Sequence, residues 1–421
     1  MDSPTPAGAP GSLVTIPNSP WRLAAAMGAL FITTGVFLPF LPVYARSHGI
    51  GASGTALLLG MIPLATIACA QYLGYLADMF FTRTRLIIVS AVVCFAIAWL
   101  FPLVPPTTAW LAALTLLYTA MCAARMSMMN SIVLASHRGD ERYGAIRIAG
   151  SVTFTVVIFA VGWLVDQPWA RIEYVFPVLA FGELAIWLAA AGLRDLPPAE
   201  RLANAPPRIG FREAQRRLLS HPVLRPFYVF TLATQLSAYA GHQMQVRLLQ
   251  EMDESALVST ASLAIGAIAE IAIFAASAWI FRRFPLIRLM AVGAAALSLR
   301  WALVWLFPSA AVVLASNVLH MLTFGLAFLT GILFVNRMSP PELKSSGLTM
   351  FGMFFFSLPA LVGSAVSVLV LRWVSIFDFY GLMSLAALAA LATVPPLARA
   401  WDEYCRISMQ VPRMEMLGRV A

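Results

Sequence analysis

Twelve unbroken apolar runs, each long enough to cross a bilayer as a helix at about 20 residues, leave this chain few folds to adopt. Inside hydrocarbon no water is available to the backbone N–H and C=O groups, so only helices and closed barrels can span it. Barrel strands alternate apolar and polar residues, and these runs do not. Hydrophobic residues fill 60% of the 421 positions and charged ones only 11%, against about 25% charged in a soluble domain. Lipid must solvate most of the molecule, and the expected class is an all-α integral membrane protein.

The first six runs read as Trp21–Tyr44, Ser53–Ala77, Leu86–Val104, Thr108–Ala135, Ile148–Val165 and Tyr174–Leu193. The second six read as Val223–Leu249, Ala256–Phe281, Leu289–Phe307, Ala311–Val335, Ser345–Leu371 and Phe379–Ala398. Between them lies a polar stretch with Arg201, Arg208, Arg212, Arg216 and Arg217, in which Phe211–Leu219 reads as a short amphipathic helix. The expected division is a disordered tail (1–20), a six-helix half (21–193), a linker (194–222), a second six-helix half (223–398) and a second tail (399–421). The first tail has neither a basic n-region nor a small-residue cleavage site, which argues against a removable signal peptide.

Orientation follows from the basic residues. One set of connections holds Arg83, Arg85, Arg138, Arg142, the linker, Arg282, Arg283, Arg288, Arg337 and Lys344, and the alternate set only Arg46, Arg171 and Arg372. That asymmetry places both termini and the linker in the cytoplasm of a cell whose inner membrane the chain crosses. It also accounts for the net charge of +9 without nucleic acid. Trp21, Trp110, Trp169 and Trp373 near span ends suit interfacial anchoring. Cys69, Cys94, Cys122 and Cys405 show neither metal-ligand spacing nor a disulfide framework, so no metal or cofactor is expected.

Gly74 and Asp78, followed by Arg83 and Arg85, lie in the connection between the second and third spans. With the six-plus-six layout, they resemble the loop signature of the major facilitator superfamily. Its two halves rock around a site near the midplane. Met79 and Phe81 stand where that signature has Arg and Gly. Gly74, Asp78, Arg83 and Arg85 are the candidate conformational latch, the carboxylate capping or pairing at a helix end.

An ionisable side chain at mid-membrane costs several kcal/mol unless paired or hydrated, and so is a functional candidate. Arg125, Glu183, His242, Arg247, Glu270, Arg300 and His320 fall in spans. At 1.5 Å rise per residue, Glu270 lies about 21 Å and His320 about 14 Å from the external ends of their spans, and Arg300 about 16 Å from its cytoplasmic end. An acid, a base and an imidazole at one depth on consecutive helices form a candidate proton-coupling network. Asn317 and Thr323 flank His320 on one face of its span, and Gln235, Tyr239 and His242 share a face of the seventh. The competing readings are structural: Glu270 paired with Arg300 to hold two helices, and His320 donating to a backbone carbonyl. Glu183 has no clear partner in the sequence; Arg125 is a candidate. Arg247 is placed to snorkel. Phe351, Phe354–Phe356 and Met121, Met126, Met128 and Met129 read first as packing.

Tyr143-Gly-Ala-Ile-Arg147, with Gly150 and Ser151, resembles a signature of the phenylpropionate-permease group, which is similar to the nucleoside– and oligosaccharide–proton symporters. Gly35–Phe40, Ala269-Glu270, Leu299-Arg300-Trp301 and Leu319–Gly325 resemble its first, eighth, ninth and tenth helices. The likeness implies proton-driven transport of a small polar or anionic organic solute. The lactose-permease-like symporters similarly place Glu, Arg and His where Glu270, Arg300 and His320 stand. The resemblance implies a substrate contact for Arg147, and Phe154 replaces their nearby Trp. Thr323, Asn130 and Ala238 stand where an acid, an Asp and a His are common in these groups. Arg147, Phe154, Asn130, Arg125, Gln235, Tyr239, His242 and Asn317 are the candidate substrate contacts. With two of the group's acids missing, Glu270 is the leading proton carrier and Glu183 the second.

The function expected is secondary active transport, with proton-coupled symport as the first reading and proton-driven export of a metabolite or drug-like compound as the second. The expected partners are a small-molecule substrate, protons and the bilayer, with the monomer as the working unit. An enzyme would need a nucleophile–base pair, metal cluster or phosphate loop, and none is present in the sequence.

Overall fold

The computed structural model describes residues 14–136, 139–201 and 207–410; the expectations for the first 13 residues, Arg138, part of the linker and the last 11 residues lie outside them. Each apolar run closes its own backbone hydrogen bonds as a helix. These are α1 (Pro20–Ser47), α2 (Ala52–Met79), α3 (Arg83–Leu100), α4 (Thr108–Leu134), α5 (Gly139–Val165) and α6 (Ile172–Ala191). A linker helix (Phe211–Ser220) leads to α7 (Leu224–Glu251) and α8 (Ala256–Arg283). Then come α9 (Leu286–Leu306), α10 (Ala310–Met338), α11 (Pro341–Val370) and α12 (Ile376–Ile407). Among the described residues, eleven helices are long and apolar enough to cross a membrane. The twelfth, α7, is as long but carries Thr231, Thr234, Gln235, Ser237 and Gln245, all buried. These five polar groups face protein rather than lipid, and hydropathy undervalues the helix.

Within the first half α1 packs on α5 and α6, and α3 on α6; within the second α7 packs on α11 and α12, and α9 on α12. Two seams, α2 and α4 against α11 and α5 against α8, join the halves. Small residues set their closeness, as lipid-embedded packing requires. A Cβ on Gly74 would lie 2.6 Å from Thr349 Oγ1, and one on Gly144 only 2.4 Å from the carbonyl oxygen of Phe274. Among the described residues, the hydrogen bonds and ion pairs between the halves all fall toward the end of the bundle that carries the linker, called here the linker side.

Several boundaries differ from the sequence reading for physical reasons. α5 begins at Gly139 rather than Ile148, because Asp140, Glu141, Arg142 and Arg147 depress the local hydropathy without opposing helix formation. The Tyr143–Arg147 segment therefore lies one to two turns inside the helix. α4 is interrupted between Cys122 and Arg125. α10 passes through a 3₁₀ turn (Asn317–Leu319) and a π turn (Met321–Leu326), and α11 through a π turn (Met353–Ser357). Residues 14–19, inside the expected tail, form an extended strap. Ile16 is 1% exposed, its N–H donates to the Ala135 carbonyl, and Asn18 brackets the Arg194 backbone. At the other end α12 continues to Ile407, past the expected limit at Ala398.

Candidate functional site

His320 is the centre of the site. Its Nε2 lies 3.0 Å from Glu270 Oε1 and its Nδ1 3.1 Å from Arg300 Nη1. A guanidinium only donates, so Nδ1 must accept, and the proton assigned to Nε2 points at the carboxylate. The direct Glu270–Arg300 pair of the competing structural reading is thus replaced by a neutral bridge. Gly266, one turn before Glu270 on α8, leaves room for the imidazole: a Cβ there would sit 3.2 Å from the ring. The ring stacks on Phe324 and also on His242, whose centroid is 5.3 Å away. The π turn of α10 re-aims this segment, as such turns do at functional sites.

Arg300 is 1% exposed and is held by neutral acceptors. Its Nη2 donates to Asn317 Oδ1 at 2.5 Å and Gln245 Oε1 at 3.1 Å, and its guanidinium lies 4.6 Å from the Trp301 ring centroid. Ser262 completes the shell through Gln245 and Asn317. Gln245 and Ser262 were not singled out from the sequence. Gln245 continues the 235–239–242 face by three residues and was legible there, whereas a serine in an apolar helix carries no such signal.

Arg147 enters from the first half. It is 6% exposed, its guanidinium sits 4.1 Å from the Phe31 ring centroid, and Phe274 and Phe328 flank it from the second half. Its only side-chain hydrogen bond among the described residues is a 3.4 Å contact to Ser151, and its Nε has no partner. Arg147 and Glu270 act on each other electrostatically across the seam. Phe154 meets Phe31 edge-on, behind the guanidinium.

The remaining candidates lie elsewhere. Arg125 and Glu183 do pair, at 2.8 Å, with Tyr118 donating to Glu183 and Arg125 Nε to Ser90. This cluster stays within the first half and does not touch the Glu270 network. Removing one partner strands a buried charge, so Glu183→Gln is expected to lower unfolding stability by about 3–5 kcal/mol. Arg125→Met with Glu183→Met should recover most of the loss, as read by thermal unfolding in detergent. Asn130 accepts from Tyr143 on the linker side of Arg147. Gln235 lines a separate void of about 20 Å³, and Tyr239 packs on Gly363, so of that face only His242 reaches the network. Arg247 is exposed beside Glu251.

At the linker side Asp78 caps α11. Its oxygens accept from the Ser345 and Ser346 N–H groups at 3.0 and 2.7 Å and from the Ser346 hydroxyl. These donors are orphans of a helix N-terminus, where the dipole favours an anion. Gly74, one turn earlier, allows the approach. Arg83 serves the linker instead: it is clamped to Asp195 at 2.6 Å and to Ser131, and Arg201 joins the same carboxylate. Arg85 is exposed over Phe81 and takes no part. A cavity of about 330 Å³ lies beside this latch. Burial pushes the Asp195 carboxyl up, but Arg83 and Arg201 overcome it and hold it below the usual carboxylate range. A depressed folded value means stability that is present above the unfolded pKa of about 3.9 and is lost as pH falls through the folded one. Asp195→Asn should therefore lower the unfolding temperature at pH 7 and flatten its fall below about pH 4. An unchanged acid limb would assign that fall to other carboxylates.

Comparison with known proteins agrees with this architecture. The profile of the MFS_1 like family matches residues 21–382. A maltose permease of Geobacillus stearothermophilus is 27% identical over 330 residues, covering 76% of this chain and 80% of the permease. The crystal structure of the human organic anion transporter MFSD10 superposes with a TM-score of 0.69 at 17% identity, over 89% of this chain and 98% of that one. The crystal structure of the nucleoside transporter NupG superposes with a TM-score of 0.59 at 15% identity, over 91% of this chain and 98% of that one. These are transporters, not enzymes.

Proposed function

The chain belongs to the MFS_1 like family of multi-pass major facilitator transporters, and on that premise we propose that it couples protons to the transport of a small organic anion. The observation that carries this reading is a charge imbalance. Two buried guanidiniums, Arg147 and Arg300, share one nearby carboxylate, Glu270, through or beside a neutral His320. A buried cation without an anion is costly. A solute carboxylate placed against Arg147 and the aromatic rings around it would supply the missing charge. Protonating Glu270 removes the competing anion, so proton and solute favour each other's binding. That reciprocity is what symport requires.

The linker side is taken as cytoplasmic, from the distribution of Arg and Lys, in an inner membrane. With its seams closed on that side, the structure then corresponds to a state closed to the cytoplasm. The monomer is the working unit in this reading, since one chain carries both halves of the site.

Proteoliposomes holding the purified protein test the proposal. Under an imposed pH gradient, aromatic carboxylates and glucuronate are offered beside maltose and a nucleoside. Accumulation of a carboxylate on the side toward which protons flow is expected. Accumulation of maltose or the nucleoside alone would overturn the anionic reading, and movement against the proton flow would make the protein an exporter.

A further inference from the structure

On the linker-side half of the bundle, α7 and α11 part to leave a groove of about 420 Å³ that opens toward lipid. Arg225, Val229, Leu232 and Leu236 line it at steps of four, three and four residues, which is one continuous stripe of an α-helix. Arg225 stands at the start of α7, exposed, with no hydrogen bond or ion pair to its side chain among the described residues. Tyr228, one turn further in, is 2% exposed. Its ring stacks on Phe354 at 4.9 Å, and its buried hydroxyl has no partner among the described residues. The π turn of α11 is what brings Phe354 to this position.

The order of chemistry along the stripe matches a phospholipid read from its headgroup inward. A cation comes first, a hydroxyl about 4.5 Å deeper, and aliphatic side chains continue to about 16 Å. We propose that this groove binds one anionic phospholipid of the linker-side leaflet. Its phosphate sits on Arg225, an ester carbonyl accepts from the Tyr228 hydroxyl, and an acyl chain lies along Val229, Leu232 and Leu236. A zwitterionic headgroup would bring its own cation to Arg225, where no acid compensates it. A buried hydroxyl without a partner costs free energy, and an ester oxygen drawn in against it would remove that cost. The inference rests on membrane embedding alone and is independent of the transported solute.

The test uses phosphatidylglycerol with a diazirine in one acyl chain, in phosphatidylcholine vesicles holding the full-length protein, against phosphatidylcholine with the same labelled chain. Peptide mapping after illumination should find the segments around Leu232–Leu236 and Phe354 labelled about fivefold more by the anionic lipid, the factor one basic residue gives near a membrane surface. Arg225→Gln should bring that ratio to about one, and Arg283→Gln, at the linker-side end of α8, should leave it unchanged. Tyr228→Phe should reduce labelling by both lipids and preserve the ratio. Equal labelling by the two lipids in the native protein would show annular lipid only and overturn the proposal, with no variant needed.

Discussion

Glu270→Gln is expected to yield a transporter that exchanges solute across the membrane but no longer accumulates it. The amide keeps the size of the carboxyl and its oxygen toward His320 Nε2, 3.0 Å away in the native protein. It can neither take up nor release a proton, and it no longer competes with a solute anion for Arg147. Gradient-driven accumulation should fall to the level of protein-free vesicles. Counterflow of labelled against unlabelled solute should stay within about threefold of the native rate, since solute contacts are retained. Accumulation that survives in the amide would move the proton to another group, with Glu183 next in line.

Gly144→Val should have an effect of similar size on a different step. At Gly144 a Cβ would lie 2.0 Å from Ser277 Oγ and 2.4 Å from the Phe274 carbonyl oxygen. The second contact is backbone and cannot rotate away. Overpacking of this kind costs about 1–3 kcal/mol, and here the strain exists only while α5 and α8 are closed on each other. The equilibrium should shift away from the linker-side-closed state by about 5- to 150-fold. A reporter cysteine at Ser127, whose hydroxyl donates across the seam to the Leu348 carbonyl, would show this. Placed in a background lacking Cys69, Cys94, Cys122 and Cys405, it should react faster with a linker-side maleimide in the valine variant. Unchanged reactivity together with native transport would mean that the seam does not open in the cycle.

Much of this was legible before any coordinates. Twelve runs, their pairing into halves and the depth of Glu270, Arg300 and His320 follow from hydropathy and helical rise, because the bilayer imposes a single length scale. The bridging role of His320 was not legible, since it depends on a π turn in α10 that no residue pattern announces. Spacing proposed Gln235 and Tyr239 beside His242, but a helix face passes several neighbours along its length, and only His242 and Gln245 meet the site. Asp78 and Arg83, adjacent in one motif, serve different partners, α11 and Asp195, because helix ends are satisfied by whatever tertiary packing brings near. Arg125 with Glu183 was a guess across 58 residues that geometry alone could decide.

The most direct test of the central claim is the internal pH of proteoliposomes while an organic anion enters with no pH gradient imposed and the membrane potential clamped. Glucuronate crosses lipid poorly, so protein-free vesicles give a low baseline, and a trapped pH-sensitive dye records the protons; an aromatic carboxylate with the same subtraction serves if glucuronate is not carried. Solute entry through the native protein should acidify the interior, and the Glu270→Gln variant should show none of that acidification. Entry without acidification, or equal acidification by both proteins, would contradict a proton carried on Glu270.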